Sequence, residues 1–313
     1  MSRKILVVGR DHHPDGKETA DEIYQGLLST GKIQSGELQL IHYKNLLFDI
    51  SKDKISIIDT SSGYNLADAS AALMTNWFSH ASVRKDIAHS LGLFWSSLQV
   101  PFFNTEALYN RSTSKLSQMV IAAQNSVNVP RTIFSLDFDQ LITKCKEQLG
   151  LPYILKDANA SRGKSNYLIK NHGAALKLKP QHTEAHPFMA QEFINADQTD
   201  YRVFVVNTKP RLIIKRVAGT GTHITNTSTG ASAELLPVDA LGPEIDDVVS
   251  KCAQLLHREV TGIDIIIDKS TDLSYFLEAN PIPQIATGTY VEQKLAALAE
   301  VLSGAAGSRR EET

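Results

Sequence analysis

The chain has 313 residues, of which 42% are hydrophobic and 21% charged, and its formal net charge is −2. Because this length exceeds the usual size of a single hydrophobic core, we expect two or three lobes. The balanced charge excludes a global attraction to nucleic acid, and no apolar run reaches the length of a membrane span. Cys145 and Cys252 fall on predicted apolar helix faces, which indicates core thiols rather than a disulfide framework or a zinc site.

The first 104 residues predict a small open α/β lobe. The opening stretch MSRKILVVGRD is typical of a buried strand, because its apolar run is too short for a signal peptide, and we expect a cytoplasmic location. An apolar stripe predicts a helix over 17–28 that ends at Gly31. The strand LQLIHY, a hairpin of LLFDIS and KISIIDTSS, the helix VRKDIAHSLGLFW and the strand VPFFN follow in chain order.

A second lobe of α+β type is predicted over 105–190. Its first helix, over 105–126, has one apolar face, which comprises Leu116, Met119, Val120 and Ala123. A second helix over 137–149 ends at Gly150. The segments VPRTIF, PYILK and YLIK are typical of the strands against which these helices would pack.

A third lobe is predicted over 191–305. The strand-like segments FMAQEFI, DYRVFVV and RLIIKRV lead into a polar loop over 218–233. A helix over 244–258, the paired strands TGIDIIID and LSYFLEAN, and a last helix over 290–303 follow. We expect the terminal residues 306–313 to form a disordered tail.

Acidic and amide side chains at the paired strands suggest a metal site. Alternation places Asp264 on one face of its strand, and Phe276, Glu278 and Asn280 on one face of the next. Asp264 would lie beside Glu278 in only one register parity, because a slip of one residue reverses the face. Oxygen ligands from neighbouring strands suit Mg²⁺. Taken alone the spacing favours two solvated strand ends, but a carboxylate inside GIDIIID is costly to bury unless it is paired or metal-bound.

Basic residues and a loop of small residues suggest phosphate binding. The loop DANASRGKSNY lets backbone N–H groups approach phosphate oxygens, although its residues fit an ordinary polar hairpin equally well. It has neither the Walker nor the dinucleotide-binding spacing. Lys156 ends an apolar strand, from which it would reach either a phosphate or water. Arg202 and Arg216 lie within strands, where each offers a bidentate fork to an anion or lies at an exposed sheet edge.

Taken together, the motifs resemble the ATP-grasp superfamily, and within it the RimK-type and glutathione-synthetase-like carboxylate–amine ligases. The resemblance covers roughly residues 100 to 290. It rests on five segments in family order, namely YNRSTSKLSQMVIAAQNSVNVPRT, PYILKDANASRGKSNYLI, MAQEFI, DYRVFVVNTKPRLIIKR and GIDIIID with YFLEANPIPQI. It implies an α/β fold of three lobes, in which an N-terminal open α/β lobe over 1–104 precedes two α+β lobes that hold ATP between them.

The resemblance also implies roles for individual residues. The residues that would bind ATP are Lys115, Lys156, Ser161, Gly163, Gln191, Glu192, Phe193, Ile194 and Asp200. Within this set, 191–194 would form the hinge that reads adenine. The implied catalytic residues are Arg202, Arg216 and Asn226. The implied ligands of two Mg²⁺ ions, with Mn²⁺ as an alternative, are Asp264, Glu278 and Asn280.

Three positions depart from the family pattern. Ile224 stands where the family has an arginine, with His223 as a candidate substitute, and Ala231 stands where a second glycine is usual. Gln284 replaces a glycine after the metal asparagine. These positions would lie near the acceptor side, so they leave the nucleotide site intact and the substrate open.

The function implied by the resemblance is ATP-dependent formation of an amide or peptide bond through an acyl phosphate, with release of ADP and phosphate. The substrates would be a small-molecule or peptide carboxylate and an amine, including a free amino acid, a peptide, or a protein side chain or terminus. The alternatives are a small-molecule kinase, a macrocyclase that modifies ribosomal peptides and, less favoured, a nucleotide-binding module without turnover. No nucleic-acid or membrane partner is expected. Homodimers and homotetramers are both common in the family.

Overall fold

The computed structural model describes residues 3–12, 18–75, 82–109, 114–158, 166–219, 231–281 and 283–311. Over these residues the chain forms four β-sheets and seven α-helices. None of the described helices combines the length and the apolar character needed to cross a membrane.

The N-terminal part of the chain builds two sheets. Its elements are β1 (Lys4–Gly9), α1 (Ala20–Ser29), β2 (Leu38–His42), β3 (Leu46–Ile50), β4 (Ile55–Asp59), β5 (Tyr64–Asn65), β6 (Ala69–Met74), α2 (Ser82–Ser97) and β7 (Phe102–Phe103). The strands β2, β1, β6 and β7 form a parallel sheet in that order, as expected for an open α/β arrangement. β3, β4 and β5 form a separate antiparallel sheet, which contains the predicted hairpin. α1 begins where Thr19 and Glu22 form a capping box.

The central part of the chain forms one antiparallel sheet with helices. Its elements are α3 (Lys115–Gln124), β8 (Thr132–Phe134), α4 (Phe138–Gln148), β9 (Tyr153–Asp157), β10 (Asn166–Ile169), α5 (His172–Leu176) and β11 (Phe188–Glu192). The sheet order is β10-β9-β11-β8. The Asp137 carboxylate caps α4 by accepting from the Gln140 N–H, and Gly150 ends the helix with φ +71°. Cys145 is buried on the inner face of α4, as the sequence predicts.

The helix predicted over 105–126 is wrong in its start and in its buried face. Thr105–Tyr109 form a short 3₁₀ helix, and α3 begins at Lys115 after an N-cap by Ser114. The inner face comprises Gln118, Met119 and Ala122, whereas Val120, predicted to be inward, is 49% exposed. The apolar stripe failed as a guide because a polar residue, Gln118, occupies an inner position, where the backbone of a neighbouring strand satisfies its carboxamide.

The C-terminal part of the chain forms the largest sheet. Its elements are β12 (Thr199–Val206), β13 (Lys209–Val217), β14 (Ser232–Leu236), α6 (Pro243–Leu255), β15 (Val260–Ile267), β16 (Ser274–Asn280) and α7 (Val291–Glu311). The strand order is β14-β13-β12-β15-β16, with every neighbouring pair antiparallel. α6 packs on one face through Ile245, Val249 and Cys252, whose thiol is also buried as predicted. The sheet edge β14 begins at Ser232, inside the segment predicted to be a loop.

One apolar cluster connects the N-terminal sheet to the C-terminal sheet. It includes Ile5 of β1, Leu27 of α1, Phe204 of β12 and Leu298 of α7, each at most 2% exposed. α7 therefore lies between the two sheets and buries apolar surface from both. This packing holds the segment that follows β16, through Ile285, against the N-terminal lobe.

The disordered tail predicted over 306–313 is wrong for the residues that the structure describes. α7 continues to Glu311, and Ala306 is 2% exposed in the same cluster as Leu302. Arg309 donates hydrogen bonds from its guanidinium to the carbonyls of Ala69 and Leu98. The sequence misled because Gly304 and Gly307 weaken helix propensity, while tertiary packing of every fourth residue maintains the helix.

We predict that a variant ending at Ser303 unfolds more easily than the full chain. The loss of the Ala306 packing and of the two Arg309 hydrogen bonds should lower the free energy of unfolding by roughly 1–3 kcal/mol. Urea unfolding followed by circular dichroism measures this difference. A variant ending at Glu311 is the matched control, and an unchanged midpoint for the shorter variant would contradict the assignment of these residues to α7.

Candidate active site

The strands β15 and β16 bring the two predicted metal carboxylates together. Asp264 lies directly opposite Glu278, and Gly262 lies opposite Asn280. This is the register parity that the metal interpretation requires. Asp264 is buried, whereas Glu278 and Asn280 are partly exposed at the end of the sheet.

Because of a β-bulge in β16, Phe276 does not lie on the strand face that the sequence predicts for it. The pairing passes from Asp264 opposite Glu278 to Ile265 opposite Phe276, so Leu277 is the extra residue. Phe276 therefore lies in the apolar core with Ile265, at 0% exposure, and does not share the face of Glu278. The bulge lets β16 bury an aromatic side chain and present Glu278 to the opposite face two residues later.

Asp264 is held by two arginines. Arg202 lies opposite Asp264 on β12 and donates from Nε and Nη2 to its two carboxylate oxygens, at 2.8 and 2.7 Å. Nη2 of Arg216 lies 3.2 Å from the second of these oxygens. Burial alone would raise the pKa of Asp264, but the two guanidinium groups hold it at about 2. Asp264 is therefore ionised at neutral pH.

Arg216 is in turn held by Asp200. The two residues lie opposite each other on β13 and β12, and Nε and Nη2 of Arg216 donate to the carboxylate oxygens of Asp200, both at 2.6 Å. Burial disfavours the charge of Arg216, but the carboxylates of Asp264 and Asp200 raise its pKa above the ordinary value. Asp200, which the sequence assigns to ATP binding, is thus placed where it orients Arg216. The four side chains form an alternating row of charges that neutralises itself.

Both predicted phosphate lysines lie close to this row. Nζ of Lys115, at the start of α3, is 3.9 Å from a carboxylate oxygen of Glu278. Lys156, on β9, is only 8% exposed. Burial, and after it the charge of Lys115, lowers the pKa of Lys156 to about 8. Two cations from the central lobe therefore face the carboxylates of the C-terminal sheet.

The predicted adenine hinge, 191–194, comprises the last two residues of β11 and the first two of the segment that leads to β12. Gln191 is buried and donates from its carboxamide to the Thr132 hydroxyl at 2.9 Å, so its side chain supports the sheet. Glu192 accepts from the Arg131 N–H at 2.8 Å. Phe193 is 38% exposed and Ile194 is partly buried. The side chains of Gln191 and Glu192 thus form hydrogen bonds within the protein. A ligand at the hinge would therefore contact the backbone and the side chains of 193–194.

Three predicted site residues, Ser161, Gly163 and Asn226, lie outside the described residues, as do His223 and Ile224. The structure therefore brings together Lys115, Lys156, Asp200, Arg202, Arg216, Asp264, Glu278 and Asn280, with the hinge 191–194 at the junction of two sheets.

Two residues that the sequence analysis missed fix the backbone between Glu278 and Asn280. The Gln118 carboxamide accepts from the Ala279 N–H at 2.8 Å and donates to the Ala279 carbonyl at 3.4 Å. Arg258 donates to the same carbonyl and also forms an ion pair with Glu106, both side chains being 1% exposed. The signal in the sequence was weak, namely a glutamine one turn after Lys115 and an arginine three residues after the end of α6.

The donor set fits a hard divalent cation. Asp264, Glu278 and Asn280 supply carboxylate and carboxamide oxygens from adjacent strands, which is the ligand chemistry of Mg²⁺. The described residues contain no group of three His, Cys, Asp or Glu side chains placed to enclose a metal by themselves. Such a site suits an ion that takes its remaining ligands from water and phosphate oxygens.

A family model described as the RimK-like ATP-grasp domain matches residues 112–299, which is more than half of the chain. The chain belongs to this family. The predicted membership is therefore confirmed, and with it the ligase class and the use of ATP that characterise the family.

Curated relatives of the chain are ligases. The alpha-aminoadipate–LysW ligase LysX of Saccharolobus solfataricus is 27% identical over 212 residues, which cover 64% of this chain and 74% of LysX. A probable alpha-L-glutamate ligase of Shewanella halifaxensis is 29% identical over 194 residues, 60% of this chain and 41% of that protein. The chain thus matches less than half the length of the Shewanella ligase.

Solved structures share the fold over nearly the whole chain. The ATP-grasp ligase PsnB, complexed with minimal precursor, Mg and ADP, has a TM-score of 0.71 at 15% identity and covers 98% of this chain and 99% of its own. The macrocyclase MdnC of Microcystis aeruginosa MRC, bound with precursor peptide MdnA, has a TM-score of 0.64 at 14% identity, with 96% and 99% covered. These likenesses confirm the predicted fold class, and at such identities they show the fold alone.

We predict that replacing Arg258 destabilises the protein strongly. Arg258→Leu leaves the buried Glu106 carboxyl without its counter-charge, so the free energy of unfolding should fall by about 3–5 kcal/mol at pH 8. Adding Glu106→Leu to this variant should recover part of the loss. The unfolding midpoint in urea measures both effects. Lys269→Leu, which breaks the exposed pair with Asp197, is the matched control and should leave the midpoint unchanged.

The loss caused by Arg258→Leu should also depend on pH. Burial raises the pKa of Glu106 to about 7 despite the charge of Arg258, and removal of that charge raises it further. A carboxyl with a raised folded-state pKa destabilises the fold progressively as pH rises above its unfolded value. The difference between variant and wild type should therefore be smaller at pH 5.5 than at pH 8. An equal difference at both values would show that Glu106 is not the cause.

Proposed function

We propose that this protein forms an amide bond between a carboxylate and an amine at the expense of ATP, through an acyl phosphate, with release of ADP and phosphate. The observation that supports this most directly is the pairing of Asp264 with Glu278, flanked by two arginines and two lysines. Such a cluster suits the transfer of a phosphoryl group, where catalysis consists mainly of positioning and charge neutralisation.

In this proposal Asp264, Glu278 and Asn280 hold two Mg²⁺ ions. The bound ions supply positive charge to the phosphate oxygens of ATP. Lys115 and Lys156 bind the same phosphates from the central lobe, and the backbone after β11 binds adenine. Ser161 and Gly163 are proposed to close over the phosphates, and Asn226 to act on the acceptor side.

The arginines are proposed to bind the transferred phosphoryl group and the carboxylate that receives it. Asp200 and Asp264 hold the guanidinium groups in fixed orientations, so little reorganisation is needed when the charge moves. The proposed reaction needs no covalent nucleophile on the protein. The buried thiols of Cys145 and Cys252 are therefore assigned to the packing of α4 and α6.

For the substrates we propose an amino acid or peptide carboxylate, and an amine borne by an amino acid, a peptide, or a protein side chain or terminus. The support comes from the relatives, whose names include ligases of alpha-aminoadipate and of glutamate, and from neighbours in fold that were solved with precursor peptides.

Product analysis tests the reaction class. The purified protein is incubated with ATP, Mg²⁺ and a panel comprising L-glutamate, L-2-aminoadipate and acidic peptides, with each amine in turn. We expect equal release of ADP and phosphate that requires both substrates. With hydroxylamine as the amine, we expect a hydroxamate from the activated carboxylate. ADP release without phosphate would identify a kinase instead, and ATP binding without turnover on the whole panel would contradict the proposal.

We predict that Glu278→Gln lowers kcat about 10²-fold or more, because it removes one negative ligand from the metal site. The fold should be little affected, since Glu278 is partly exposed and its pairing with Lys115 is long, at 3.9 Å. Steady-state ADP release and thermal unfolding measure the two effects separately. Glu234→Gln, an exposed carboxylate in the edge strand of the same sheet, is the matched control. Turnover at the wild-type rate in Glu278→Gln would remove the metal assignment.

A further inference from the structure

The segment that follows the metal strand has an unusual backbone. Gln284 has φ +59°, in the left-handed region that residues other than glycine adopt at an energetic cost. A glycine would adopt this conformation without a steric penalty. A glutamine side chain thus occupies a position whose backbone conformation favours glycine. Strain of this kind persists only where the surroundings enforce it.

Two buried charged side chains enforce the conformation of the turn 284–287. Lys294, on α7 and 3% exposed, donates from Nζ to the carbonyls of Gln284 and of Thr287, the latter at 2.9 Å. Glu18, 4% exposed and just before α1, accepts from the Ala286 N–H at 2.8 Å. An ammonium group therefore holds the carbonyls of the turn, and a carboxylate from the N-terminal lobe holds an N–H.

The turn forms one wall of a small cavity beside the row of charges. Arg202, Arg216, Lys294, Gln284 and Thr289 line it together with the apolar side chains of Phe204 and Ile214. Its volume of about 20 Å³ is slightly more than one water needs, so it admits an oxygen of a substrate head group and not a whole side chain. The cavity is therefore suited to the head group of a substrate whose remainder lies outside.

The hydrogen-bond donors at the cavity suit an anionic head group. The charges of Arg202, Arg216 and Lys294 are offset by the carboxylates of Asp200, Asp264 and Glu18, so the remaining donors decide what binds. The hydrogen bonds to these carboxylates use Nε and Nη2 of each arginine, so Nη1 of each is left to donate elsewhere, as far as the described residues show. A carboxylate is the planar anion that guanidinium and carboxamide donors recognise, and one of its oxygens fits this space.

We propose that Gln284, held in its left-handed conformation by Lys294 and Glu18, determines specificity for the carboxylate substrate by donating from its carboxamide to the carboxylate head in this cavity. The proposal rests on the ligase function proposed above and assigns a recognition role to this chain's own residue. Lys294 and Glu18 are positioning residues, because they act through the turn.

Substitution of Gln284 separates the side-chain contact from the backbone strain. Gln284→Ala and Gln284→Gly both remove the carboxamide, and the glycine variant also relieves the strained φ, so that variant should be at least as stable as the wild type. Loss of one hydrogen bond to a charged group should raise KM for the carboxylate roughly tenfold or more in both variants. KM for ATP and kcat should stay within about twofold of wild type.

The assay uses whichever of L-glutamate, L-2-aminoadipate or the acidic peptides supports turnover by the wild-type protein, at saturating ATP. Gln99→Gly is the matched control, because Gln99 also has a left-handed backbone, with φ +53°, and lies on the surface of the N-terminal lobe. An unchanged carboxylate KM in both Gln284 variants, with wild-type turnover intact, would overturn the role of Gln284 and leave the ligase function standing. Absence of wild-type turnover on the panel would remove both.

A double-mutant cycle tests whether Lys294 acts through Gln284. Lys294→Met keeps the length of the side chain and removes its donors, so it should raise the carboxylate KM in the wild-type background. In the Gln284→Gly background it should have little further effect, because the carboxamide it positions is already absent. Additive effects on KM would show that Lys294 does not act through Gln284. The thermal unfolding of each variant distinguishes loss of positioning from loss of the fold.

Discussion

The site depends on a largely buried row of alternating charges across three strands of the C-terminal sheet. Arg202 holds Asp264, and Arg216 holds both Asp264 and Asp200. Each of these groups would be costly to bury alone, and each is supplied with its counter-charge by the residue directly opposite on the next strand. Strand register therefore fixes which charges face each other, and Asp264 is ionised beside Glu278, where we propose that metal ions bind.

The metal strand is also tied to the rest of the molecule through its backbone. Gln118, one turn after Lys115 on α3, hydrogen-bonds to both the N–H and the carbonyl of Ala279. Arg258 donates to the same carbonyl and pairs with Glu106, which lies in the 3₁₀ helix before α3. Because these contacts join α3 to β16, Lys115 and Glu278 keep a fixed relation. The turn 284–287 continues the pattern, since Glu18 and Lys294 hold it from the N-terminal lobe and from α7. The proposed active site is thus held by contacts from the N-terminal, central and C-terminal parts of the chain.

Several features of the site could be predicted from the sequence because they follow from local patterns. Alternation in GIDIIID and YFLEAN limited the pairing of Asp264 with Glu278 to one parity, and the structure has that parity. The motif order indicated the family, which the comparisons confirm. Other features could not be predicted from any local pattern. The bulge at Leu277 changes the face of Phe276 only because β15 offers a core position for it, and the inner face of α3 depends on a partner backbone 161 residues away.

The sequence by itself determined the family, four of the five strands of the C-terminal sheet and the candidate ligands, since these depend on residue type, order and periodicity. Only the tertiary structure decided which charges neutralise one another, why α7 extends to Glu311, and how Gln284 is held. The physical reason is the same in each case. Buried polar groups and weak helix formers keep their conformations through partners far away in the chain, and no local pattern records where those partners lie.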